Sequence, residues 1–99
     1  MPSPESLRYP IGRFSYETSY TPEQRQALFA ELEAYPNHLR RVVVPLTDAQ
    51  LDTPYREHGW TVRQVIHHVA DSHANGYLRT KLALTEENPT IKPYEESLW

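Results

Sequence analysis

Residues 59–73 read GWTVRQVIHHVADSH, and the period of this stretch decides the fold class. Thr61-Val62-Arg63-Gln64 has the form of a capping box, with a threonine to cap and a glutamine three residues on to reach back. From there Val62, Ile66 and Val69, and further along Tyr77 and Leu84, recur at helical spacing as a packing stripe. The pattern predicts a helix from Thr61 to about Glu86, close to 37 Å long at ~1.5 Å per residue. A second face carries Val65, His68, Ser72, Asn75 and Arg79, with Asp71 beside it. Polar residues persist there for four turns, as they would on any solvated face.

The histidines are the residues with chemistry to offer. Imidazole is a common metal ligand, but a lone histidine on a helix is more often a surface or hydrogen-bonded residue. No two histidines in this chain stand three or four apart: His67 and His73 are six apart, and His68 and His73 are five. His67 and His68 differ by ~100° around the axis, so they are expected to face different sites. His67 reaches Asp71 at i+4 and His68 reaches it at i+3, either as ion pairs or as a carboxylate orienting an imidazole. His38 and His58 stand alone, and the surface is the expected place for both. A Ser72–His68 nucleophile and base pair lacks an oxyanion hole. The glycine-rich phosphate loop, G-x-S-x-G and H-E-x-x-H patterns are absent.

Outward from this helix, Thr21-Pro22-Glu23-Gln24 makes another helix start. Leu28, Leu32, Tyr35, Leu39, Val42 and Leu46 follow at steps of three and four. Pro36 interrupts the bond to the carbonyl of Leu32, yet the stripe keeps its phase, which predicts one kinked helix. Thr47 to Leu51 reads as a single capped turn, Asp52 to Gly59 as a loop, and Asn88-Pro89 as a stop. Residues 1–20 hold Pro2, Pro4, Pro10 and Gly12, which predict an extended arm. Its aromatics Phe14, Tyr16 and Tyr20 suggest that it lies on a surface. The class is all-α.

Composition bounds the rest. With 99 residues the chain is one small domain at most, and a domain of that size buries only roughly 60–65% of its unfolded surface. A hydrophobic fraction of 38% and a mean hydropathy of −0.71 leave a thin core, or one completed from outside the chain. The net charge is −3 with the ten Lys and Arg scattered, which argues against nucleic-acid binding. There is no cysteine, so any metal must be held by imidazole and carboxylate. No window approaches the ~18 apolar residues of a membrane span, and the N-terminus has no apolar signal region. The expected setting is cytoplasmic.

GWTVRQVIHHVADSH resembles the DinB/YfiT-like superfamily, in particular its YfiT-like metal-dependent hydrolases. YPIGRF near the start, LTDAQLDTPYREHGW before the helix and LRTKLALTEENPTIKPYEESLW after it look like the same family, in order and spacing. The resemblance implies an up-down four-helix bundle, often a homodimer, with one divalent metal per subunit held by three histidines. The first of these lies in an H-[LV]-A-D element, here His68-Val69-Ala70-Asp71, so the carry-over falls on His68. His67 is the neighbouring histidine of the family's pair and, with Asp71, a candidate to support the ligand. Zinc is the first expectation, with nickel or another transition metal as alternatives. The metal would activate water for attack on a small-molecule substrate or, in the thiol S-transferase relatives, activate a low-molecular-weight thiol such as bacillithiol.

The resemblance also implies a departure. The family's other two ligands come from an H-x-x-x-H pair on a last helix, and that pair would lie beyond residue 99. On this reading residues 1–20 are an arm and residues 21–99 the N-terminal half of the bundle. The chain is then a fragment, a truncated gene product or a half-bundle needing a partner, and the third reading of its function is a non-catalytic helical piece that only dimerises. His68 is expected to point inward and His67 toward solvent or a flanking loop.

Overall fold

The structure, a computed structural model, describes residues 3–99. It is all-helical, with α1 Pro4–Arg8, α2 Pro22–Val43, α3 Asp48–Leu51 and α4 Val62–Thr85. Among the described residues the only extended pairing is an isolated antiparallel bridge between Pro54 and Thr61. The chain divides into two compact units, Met1–Leu51 and Asp52–Trp99.

In the first unit the expected extended arm contains a helix. Ser3 caps α1, its hydroxyl accepting from the Ser6 amide at 3.1 Å, and Pro4 stands at the first helical positions. A proline there loses no intrahelical bond and arrives with a helical φ, so proline density is a poor argument against a helix at its first turn. Gly12 then turns the chain with a φ of 89°. The Arg13 guanidinium lies 4.3 Å from the Tyr9 ring centre and pairs with Glu5 at 3.0 Å. Phe14 and Tyr16 meet edge to face at 5.9 Å, yet they remain 82% and 86% exposed. Phe14 and Tyr16 thus pack on each other in the open, while Tyr20 is only 42% exposed.

The α2 start is the capping box read from sequence, with the Thr21 hydroxyl accepting from the Gln24 amide and the Gln24 side chain accepting from the Thr21 amide. The helix passes through Pro36 without ending. Thr47 and Gln50 exchange the same reciprocal bonds at α3, at 2.9 and 3.1 Å. Leu39 and Leu46 are half-buried, while Leu28, Leu32 and Val42 on the same stripe are exposed.

In the second unit a short clip leads into α4. The Tyr55 amide donates to the Trp60 carbonyl and the Val62 amide to the Thr53 carbonyl, while Arg63 pairs with Asp52 at 2.8 Å. Gly59 sits where a Cβ would stand 2.5 Å from Cγ and 3.1 Å from the carbonyl oxygen of Arg56. The Thr61–Gln64 box opens α4, and its last amide bond, from Glu86 to Leu82, closes it where the periodicity ends. Asn88, at a φ of 48°, begins a return segment over residues 86–99. No described residue in either unit is fully buried.

Candidate functional site

Trp60 precedes the cap of α4, and the next three turns carry Gln64, His67, His68 and Asp71. These residues, with Arg63, form one wall of a cavity of about 240 Å³, and Glu96, Ser97 and Trp99 of the return segment form the other. His68 is half-buried and His67 exposed, the order that the resemblance implies for two rings ~100° apart. The expectation that they face different sites is too strong, however, because both line this one cavity. A cavity mouth wide enough to span that angle accepts one ring at its floor and the other at its rim.

Trp60 packs against the His68 ring. The two ring centres are 5.0 Å apart at 64°, an edge-on contact that favours one imidazole orientation. Asp71 is half-buried on the same wall, and its backbone carbonyl accepts from the Asn75 side chain at 2.9 Å. Its carboxylate makes no ion pair with either histidine among the described residues. Sequence spacing brings these groups together on one wall, and their contact stops there. His38, His58 and His73 are exposed and lie outside the cavity. His58 sits at a φ of 59°, 3.5 Å from Glu57.

Trp60, Trp99 and Glu96 were not singled out by sequence reasoning. Trp60 carries a local signal, an aromatic placed just before a helix cap. Glu96 and Trp99 carry none, because only the turn at Asn88 brings residues 25 or more positions away back beside His68.

Four side chains of metal-binding type line the cavity: His67, His68, Asp71 and Glu96. Among the described residues, no three histidine, aspartate or glutamate side chains are grouped closely enough to hold a metal ion. Zinc sites need at least three protein ligands. The residues described here thus fall short of a metal centre by themselves.

A half-buried histidine on a cavity wall gives this all-α chain a candidate metal-ligand position. The chain belongs to the DinB superfamily, whose model matches residues 31–99. It is 58% identical over 93 residues to a protein of Bacillus cereus strain B4264 named "Putative metal-dependent hydrolase", the match covering 94% of this chain and 54% of that one. The relative of the same kind in Bacillus thuringiensis subsp. konkukian strain 97-27 matches with the same figures. Among solved structures, YfiT from Bacillus subtilis is similar at 53% identity and a TM-score of 0.91, over 95% of this chain and 54% of that one. YfiT is described as "a probable metal-dependent hydrolase with an unusual four-helix bundle topology". The chain therefore spans about half the length of the relatives it matches.

Proposed function

We propose that these 99 residues contribute His68 as one of three protein ligands to a divalent metal, with zinc as the first expectation, in a metal-dependent hydrolase acting on a small molecule. The observation that carries this reading is His68 itself, half-buried on a cavity wall beside Asp71 and held by the Trp60 ring, in a chain whose relatives are named for metal-dependent hydrolysis. The chain's own part is to position one imidazole and to line the cavity around it with Trp60 and Trp99. The remaining ligands come from outside these residues.

A second reading is that this stretch is non-catalytic alone, and one observation favours it: no three candidate ligands converge among the described residues. Calorimetry separates the two. The 99-residue chain should bind zinc poorly. The same chain fused to the remaining half of the Bacillus subtilis protein should bind one zinc per chain, and His68→Ala should abolish that binding. A fused chain that binds zinc equally well without His68 would sink the proposal. Submicromolar zinc binding by the 99 residues alone would show that His67, Asp71 or Glu96 converge with His68 after all.

A further inference from the structure

A second and larger cavity, of about 460 Å³, lies between the C-terminal half of α4 and residues 90–99. It falls within the roughly 300–1,000 Å³ of small-molecule sites, whereas the His68 cavity lies below that range. Its walls are largely apolar, from Leu78, Leu82, Ile91 and Pro93, with Tyr94 and Trp99 packed together at 4.8 Å. Into this setting α4 projects Arg79, which is half-buried.

The guanidinium has five N–H donors. Its one described contact is a long bond of 3.4 Å from Nη2 to the Lys92 carbonyl, and it makes no ion pair among the described residues. The Lys92 side chain lines the same cavity, and Glu95 is the single carboxylate on its wall. Neither cation is paired with Glu95. Asn75 already spends its amide on the Asp71 carbonyl. The cavity thus offers two cations against one anion, on apolar walls, with most of the arginine fork unused. A planar fork of this kind matches a carboxylate or phosphate bidentately.

We propose that this cavity is a binding site for a small amphiphilic anion, a carboxylate or phosphate on an apolar body, with Arg79 as its anion anchor. The apolar body rests on Leu82, Ile91 and Trp99. Trp99 also walls the His68 cavity, and His68 and Arg79 stand eleven residues apart on nearly one face of α4. At ~1.5 Å per residue that is about 16 Å, so the two cavities lie end to end along the helix. Binding here requires no metal and stands apart from the reading of His68.

The test uses the 99-residue chain with Trp60→Phe, so that Trp99 is the remaining tryptophan fluorophore. Octanoate and octyl phosphate are titrated below their aggregation concentrations, with octanol as the uncharged control. At least one anion should give a saturable change in Trp99 emission, with octanol at least tenfold weaker, and the stronger anion identifies the headgroup. Arg79→Gln should weaken binding at least tenfold, and Arg79→Lys should restore part of it. Glu95→Gln, in the return segment and outside every helix, should tighten binding severalfold by removing the opposing carboxylate. Equal binding of octanol, or a Glu95→Gln chain with unchanged or weaker affinity, would overturn the proposal. So would a Trp99 signal that follows protein concentration and ignores the anions, which would make this face a contact between copies.

Discussion

His67 and His68 are adjacent in sequence and differ in surroundings, since only His68 is half-buried and in contact with an aromatic ring. In the fused chain described above, His67→Ala should therefore shift zinc affinity less than tenfold, where His68→Ala removes it. Calorimetry on the pair reads the difference, and equal losses would mean that both rings reach the metal. Gly59 offers a purely steric case. Its missing Cβ would press on Cγ and the carbonyl oxygen of Arg56, and relieving that contact means shifting the backbone of the clip before α4. Gly59→Ala should cost about 1 kcal/mol, the low end of what overpacking costs, read from a denaturant midpoint. The sequence marks this glycine only as part of a loop, because the crowding comes from a residue three positions back.

Local devices explain which elements were legible. The starts of α2, α3 and α4 are set by contacts within four residues, and each threonine with its partnering glutamine appears in the sequence as it does in space. Thr61→Ala should cost about 1 kcal/mol, typical of a lost cap, and should appear as fraying of α4 in amide exchange. Helix α1 is hidden in the sequence because a proline-dense stretch reads as extended, although Pro4 at a first turn is an initiator. The walls formed by residues 90–99 could not be read at all, since they depend on a positive φ at Asn88. Gly76, in the middle of α4, has open space where a Cβ would go. Gly76→Ala should therefore stabilise the 99-residue chain by roughly 0.5–1 kcal/mol. If the same change destabilises the fused chain, that face of α4 is closely packed in the bundle.

At the scale of the molecule the apolar stripes are only partly covered, with Leu39, Val62, Ile66 and Val69 half-buried. Leu28 is 46% exposed, Leu32 57% and Leu84 81%, although each lies on a stripe whose spacing predicts burial. Large apolar side chains left to water along a helix face invite association. The 99-residue chain should accordingly self-associate or bind a hydrophobic dye strongly. Sedimentation showing a monomer with a sharp, cooperative melt and no dye binding would refute this. The thin core was legible from composition, and the family from motifs in order along the chain. Which of those apolar residues end up covered was not, because burial is a property of neighbours in space that spacing along the chain does not identify.

The helix starts have a chemical consequence of their own. Each of the three boxes closes with a glutamine, and an amide neither gains nor loses a proton where carboxylates do. A glutamate in that position would tie each helix end to its ionisation, and stability would fall as the solution was acidified. With glutamine these contacts contribute no proton linkage. The helicity lost on Thr61→Ala should therefore be the same in mildly acidic as in neutral solution, and a cap cost that changed with acidity would refute this.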